Sequence, residues 1–437
     1  MNNIDRGLFE FYIKNWCPGR SVLNETNLWL KDLAPMHKNE GILHAILSLA
    51  GIYIYDYVPV ECIRRRTNQL HVKADQYYST LLNAPESRKI GKGQEVIAMA
   101  VILSMQDVVL TERRQKKPDK PRWLEGFEQG AYFLHATDPG KRYWDSKNTQ
   151  FDSLRVSLSI VVGRGVILAQ FMMPLPAPKS MNPEEESDKF GWLNYGFSKE
   201  DMEEIHGGCG FSRTLLHSMS HVAYCAARLQ QEPKSMMVPI TAKLLLRELE
   251  HMRQWSREGK DWKTAKIGRP TIECVREVDG MKIDSSQIMT EVTAETWRIA
   301  AILYRQCRLL RLPRNHSDVL ANLENLAKCI QIMPTSGSHF TAQAPLWPVF
   351  MLGLLATTPK HKAIAKSWFE EVVSTPVRST VLPLYEALKR IWEWIDKEVP
   401  IQSEPADDTK GISERDPWWE TLVVNVLDKE EEILYLA

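Results

Sequence analysis

The chain has 437 residues, 44% of them hydrophobic, and its 55 basic side chains are balanced by 55 acidic ones. That is ample apolar material for a substantial core. A net charge of zero excludes the global basic excess by which a domain usually grips nucleic-acid phosphates, though not a local patch. Seven cysteines (Cys17, Cys62, Cys209, Cys225, Cys274, Cys307 and Cys329) lie scattered without a Cys-x-x-Cys pair. Such spacing builds neither a disulfide framework nor a zinc ribbon, and it fits a reducing intracellular compartment.

The opening residues, MNNIDRGLFEFYIKNW, carry Asp5, Arg6 and Glu10 and hold no uninterrupted apolar region. Neither a signal peptide nor an anchor is expected there. No run approaches eighteen apolar residues, so a soluble chain without membrane association is expected. Residues 7–16 read as a short amphipathic helix that CPG at 17–19 ends, and 27–33 as a second short segment. From 41 to 57, Ile42, Ala45, Ile46, Leu49 and Tyr53 share one face of a buried helix. Further helices are predicted over 65–83, 94–110 and 123–137, the last stopped by Asp138-Pro139-Gly140. Residues 151–173 are long and apolar, and a Pro- and charge-rich connection follows at 174–187.

The pattern then predicts helices over 211–231 and 239–255. Residues 256–287 are polar and without clear period, with short strands suggested at 271–275 and 282–283. Helices follow over 292–312, 316–332, 346–357, 361–373 and 380–398. The stretch 400–417 reads as a linker-like loop and 418–437 as a last helix, docked or activation-like. Strand alternation is nearly absent and no repeat of fixed consensus recurs. The fold class expected is all-α: roughly a dozen helices packed as one multi-helical domain over 1–399.

One stretch stands at the centre of this order: TWRIAAILYRQCRLLRLP, 296–313. At helical spacing Arg298, Arg305, Arg308 and Arg311 fall within an arc of roughly 140°, and apolar side chains cover the rest. The expectation is a central helix whose arginine seam reaches solvent or pairs with Asp and Glu on neighbouring helices, since long cationic chains usually keep their heads in water.

This stretch, continued to Arg314-Asn315-His316, resembles the C-terminal regulatory domain of fungal zinc-cluster transcription factors. There a Trp opens a helix of the form Ala-Ala-x-x-Tyr-x-x-Cys/His-Arg, with Leu and Pro closing it. PLWPVFMLGLLA at 345–356 is similar to the Trp-Pro-x-Phe-x-x-Gly helix start that follows in the same family. LFEFYIKNW, then NLWLKDLAPMHKNEGILHAILSLAGIYIYDY, resembles the opening of that domain, and Ala74-x-x-Tyr77 and 123–134 match in order. The matching residues are packing residues, so they identify a fold and a lineage but no chemistry. Full-length members carry a six-cysteine cluster that binds two zinc ions and reads DNA. These 437 residues hold no such cluster, so direct DNA contact by them is not expected.

Candidate sites are few. His217, His221 and Cys225 stand at i, i+4 and i+8 on one helix face, a spacing open to zinc, but no fourth ligand is identifiable. Glu203-x-x-His206 and Glu248-x-x-His251 are similar to the paired motif of di-iron bundles, yet Gly207-Gly208 interrupts the first and partner glutamates are lacking. Asp407-Asp408 lies in a Pro-rich connection without a third Asp in register. No nucleotide-binding or hydrolase motif is present, so neither a catalytic constellation, a metal nor a cofactor is expected. The run 111–122, with Arg113, Arg114, Lys116, Lys117, Lys120 and Arg122, has the composition of a nuclear import signal, and equally of a solvated loop. In the tail, Trp418, Trp419, Leu422, Leu427 and Leu434 alternate with acidic residues as activation segments do, or as an ordinary docked helix would.

The reading that joins these observations is a nuclear transcription regulator of a gene set, such as a metabolic or biosynthetic pathway. It would act through protein partners (a DNA-binding zinc-cluster factor or a coactivator) or a small-molecule effector. Trp297, Tyr304, Arg308 and Arg311 are the candidate cleft residues. A homodimer is left open. The rivals are a metal-dependent or prenyl-type helical enzyme and a helical scaffold, the latter residing in the cytoplasm.

Overall fold

The computed structural model describes residues 2–21, 23, 25–110, 120–178, 182, 188–195, 198–278, 282–341, 345–374, 380–399 and 411–436. Among them seventeen α-helices and one two-stranded hairpin occur, so the architecture is all-α, with more and shorter helices than the sequence pattern alone suggests.

The first half is built around α2 (Glu40–Tyr57) and α4 (Gln94–Val109), both buried on nearly all sides. Asn39 starts α2 by accepting from the amides of Gly41 and Ile42, which satisfies two otherwise orphaned donors. The two helices are tied by Gln106, whose amide nitrogen donates to the Ala45 carbonyl at 3.0 Å and to the Ser48 hydroxyl at 2.6 Å. Around them pack α1 (Asn3–Phe11), α3 (Glu61–Asn83) and α5 (Arg122–Ala136). Helix α3 buries only Thr67, Leu70, Ala74 and Tyr78, one stripe at helical spacing, and leaves its charged face to solvent.

Helix α6 (Ser153–Ala169) joins this half to the rest. With the turn that follows, Ser153–Met172 is long and apolar enough to cross a membrane, against the sequence reading, yet 83% of its apolar window is buried inside the protein. Its two arginines are held by carbonyls: Arg155 donates to Leu134 O at 2.7 Å and Arg164 to Gly208 O at 3.1 Å. It is a core helix.

The middle of the chain holds α7 (Lys199–Glu203), α8 (Arg213–Gln231) and α9 (Met237–His251), with α8 against α6 and α9. Where the pattern placed a helix start at Phe211, the chain forms the hairpin β1 (Ile205–His206) and β2 (Phe211–Ser212). Gly210, at φ +78°, makes the turn that a side chain would strain. Residues 271–275, expected as a strand, belong to the short helix α11 (Thr271–Glu277), which follows Pro270 and α10 (Trp262–Ile267). The Ile and Val there pack as one helical face, Ile272 and Val275, three apart.

The second half centres on α12 (Ser286–Tyr304), which continues as a π-helical turn through Leu309. It starts six residues before the expected Val292 because Ser285 caps it, accepting from the Ile288 amide at 3.2 Å. Against it pack α13 (Ser317–Ile332) and the fully buried α14 (Leu346–Leu355), and α15 (Pro359–Val373) and α16 (Val381–Glu398) pack on these in turn. The last helix, α17 (Trp418–Glu430), buries Trp418, Trp419, Leu422, Val423 and Val426 against this half. Of the linker-like loop, 400–410 lie outside the described residues.

Candidate functional site

Helix α12 sits at the meeting point of an aromatic chain. Phe211 lies 4.3 Å from Trp297, ring centre to ring centre, and Trp297 stacks on Trp347 at 5.1 Å. Trp347 stacks on Phe171 at 4.5 Å, and Phe171 meets Tyr304 at 4.3 Å. Tyr304 meets the edge of Trp419 at 5.7 Å, and Trp418 adjoins it. Five segments distant in sequence are therefore locked by one run of rings at favourable separations. The Arg164 guanidinium, 5.5 Å above Trp297, adds a cation–π contact.

Of the four candidate cleft residues, the structure places Trp297, Tyr304 and Arg308 inside the core, each 3% exposed or less. They fill space rather than line an open cleft. Arg311 is half-buried, with the left-handed φ of 55°, and donates to the carbonyls of Ser413 and Arg415.

Three of the seam's four arginines, Arg298, Arg305 and Arg308, do not reach water as long cationic chains usually do. Arg298 is gripped at Nε and Nη2 by Glu295 of its own helix, at 2.8 and 2.7 Å, and its Nη1 donates to Leu249 O at 2.9 Å. Arg305 donates to Ala242 O, and burial pulls its guanidinium down to about 10. Arg308 donates to both carboxylate oxygens of Glu420, to the Tyr304 hydroxyl and to the carbonyls of Gln170, Phe171 and Met173. Burial works against the Arg308 charge, but Tyr304 and Glu420 outweigh it, and the guanidinium lies above its ordinary range. Pairing with acidic groups is thus real for Arg298 and Arg308, but in the interior: each guanidinium nitrogen of both finds an oxygen, which makes their burial tolerable.

This junction latches the C-terminal helix. Trp419 Nε1 donates to Phe171 O at 3.1 Å, Trp418 Nε1 to Leu312 O at 3.0 Å, and Arg415 to Leu310 O at 3.1 Å. Arg390 of α16 pairs with Glu430 near the far end of α17.

A cavity of about 270 Å³ opens on another face of α12. The segment 252–260, helices α10 and α11, and Glu291, Ala294, Glu295 and Arg298 of α12 enclose it. Its floor is fixed: Gln254 donates to Ala294 O and accepts from the Ser212 amide, each at 2.8 Å, while Trp255 Nε1 donates to Glu200 O at 2.7 Å. Four cations line it, Arg253, Lys260, Arg269 and Arg298, against the carboxylates of Glu291 and Glu295. Both carboxylates are engaged, Glu291 by Lys260 at 3.3 Å and Glu295 by Arg298. Arg269 turns to Glu277 and Glu273. Arg253 has no carboxylate partner among the described residues; its Nη1 rests on the carbonyls of Glu250 and Met252, and its Nε is buried without an acceptor. An unmet buried donor costs about 1–3 kcal/mol. Periodicity could not have found this site, because loop residues carry most of it.

The remaining sequence candidates separate. His217 and His221 meet edge to face at 4.2 Å, with the Asn194 amide nitrogen 2.9 Å from His217 Nε2, and burial pushes the Cys225 thiol up to about 12. Glu203 is buried against Lys199, and His251 is exposed, its Nδ1 2.8 Å from Arg247 O. Among the described residues no group of three or more His, Cys, Asp or Glu side chains is arranged to hold a metal ion. Arg113, Arg114, Lys116 and Lys117, like Asp407 and Asp408, lie outside the described residues. Lys120 pairs with Glu128, and Arg122 opens α5 with its Nε 3.8 Å from Asp107.

Residues 7–425 match the family model of the fungal specific transcription factor domain. The chain belongs to that family. The match takes in the aromatic run, the arginine junction and most of α17, so the rings and guanidinium that organise the second half are parts of the family's domain. Membership supports a role in transcription regulation and argues for a non-enzymatic protein. No curated protein and no solved structure shows significant similarity to the chain.

Proposed function

We propose that this chain is the control domain of a nuclear transcription regulator, acting on a confined gene set such as a metabolic pathway. It works through protein partners or a small effector rather than through its own hold on DNA. The observation that carries this is the family match over residues 7–425. Balanced charge and the lack of a six-cysteine cluster within these residues support the second half of the reading. The physical picture is a packed helical body whose occupancy shifts the affinity for a partner, with the partner and effector each biasing the same equilibrium.

Transcript profiling after disruption of the gene tests the reading. A change confined to a coherent set of transcripts is expected, with the tagged protein in the nucleus. Unchanged transcripts under all growth conditions, with the protein confined to the cytosol, would favour a scaffold instead.

A further inference from the structure

We propose that the cavity beside α12 is a binding site for a small organic acid, its carboxylate seated on Arg253 and its apolar body between Met252, Trp255, Ala265 and Pro270. Three observations carry this. Lys260 and Arg298 hold the cavity's two carboxylates and Arg269 turns to Glu277 and Glu273, which leaves the charge of Arg253 to favour an anion inside. Arg253 is the lining cation without a carboxylate partner among the described residues; its guanidinium meets only the carbonyls of Glu250 and Met252 there. A volume of about 270 Å³ suits a compact ligand, walled largely by apolar groups with a few fixed polar ones, as small-molecule sites are.

The site is built to report its occupancy. Its far wall is α12 itself, through Ala294, Glu295 and Arg298, and the same helix runs on to Arg308, which holds α17 by Glu420. In deepening the effector reading, this inference rests on it only for the link to transcription; binding stands or falls alone.

The chain carries its own probe and control. Cys274 lines the cavity and is exposed, Cys62 is exposed on α3, and the other five cysteines are buried. The full chain is alkylated with N-ethylmaleimide, and each thiol's rate is followed by peptide mass spectrometry. Benzoate, phenylacetate and hexanoate are added at about 10 mM, high enough to fill a site of millimolar affinity. At least one acid is expected to slow Cys274 several-fold and leave Cys62 unchanged. Benzamide, the neutral counterpart of benzoate, should protect far less, and Arg253→Gln should abolish protection while the Cys62 rate shows the variant still folded. The proposal is overturned if none of the three acids protects Cys274, if benzamide protects as well as benzoate, or if Arg253→Gln keeps full protection. No arm reads transcription, so failure here leaves the regulator reading standing.

Discussion

Arg308 and Glu420, 112 residues apart, meet as a two-pronged pair: Nε and Nη2 each lie 2.8 Å from a carboxylate oxygen, and the arginine side chain is fully enclosed. The pair joins the end of α12 to the first turn of α17, so the C-terminal helix is fastened by charge as well as by its tryptophans. Removing one partner strands a buried charge. Arg308→Gln and Glu420→Gln are each expected to cost about 3–5 kcal/mol. The double variant should cost less than their sum, because the two groups are coupled. Urea unfolding of all four proteins measures this, with trypsin cleavage within 411–417 as a second readout of a loosened α17.

The aromatic run makes a different prediction. Trp347 is fully buried between Trp297 and Phe171, but its Nε1 has no hydrogen-bond acceptor. Trp347→Ala is expected to lose about 3–5 kcal/mol through the cavity it leaves. Trp347→Phe keeps a stacked ring and forfeits no hydrogen bond, so a loss of roughly 1–2 kcal/mol is expected. Equal losses in thermal unfolding would deny that the stack, rather than the indole nitrogen, matters.

Between α5 and α6, a Cβ at Gly165 would come within 2.6 Å of the Phe127 ring. Gly165→Ala gains about 1 kcal/mol in helix propensity but overpacks a closed core by about 1–3 kcal/mol. A net fall in melting temperature is expected, and Phe127→Leu in the same chain should recover part of it.

Acid sensitivity should trace in part to His206. Burial, aided by Arg213 and Arg257, pulls its imidazole down to about 3, and its Nδ1 is buried without a partner. The unfolded chain therefore binds a proton below the ordinary pKa near 6.5, which the folded one accepts only near 3. Stability is full above pH 6.5 and falls as pH drops toward 3, by roughly 1–2 kcal/mol at pH 5 from this group. His206→Gln should flatten that part of the stability-versus-pH curve between pH 6.5 and 4. A slope unchanged by the substitution would contradict the assignment.

Much of this architecture was legible because burial leaves a period. The runs that became α2, α4 and α14 are apolar nearly all round, and α3 and α16 show one stripe each. What escaped was local or long-range. Ser286 to Glu291 looks polar, yet it belongs to α12, since Met289 and Thr290 are buried and Ser285 caps the start. Ile272 and Val275 suggested a strand by residue type alone, where seven residues after Pro270 close a short helix. The sequence leaves the arginines of α12 open between solvent and acidic partners on neighbouring helices, and only the fold brings Glu420, Leu249 O and Ala242 O within reach of them. The cavity was invisible for the same reason: Arg253, Cys274 and Arg298 share no periodicity, only a place.

In the proposed function, this helical body controls transcription when it is brought to a gene. The most direct measurement is a tethered reporter, with residues 1–437 fused to an unrelated DNA-binding domain upstream of a reporter gene. A several-fold change in output over the DNA-binding domain alone is predicted, in either direction, with Glu420→Gln altering its size. An intact, nuclear fusion whose output matches the DNA-binding domain alone under every growth condition tried would contradict it.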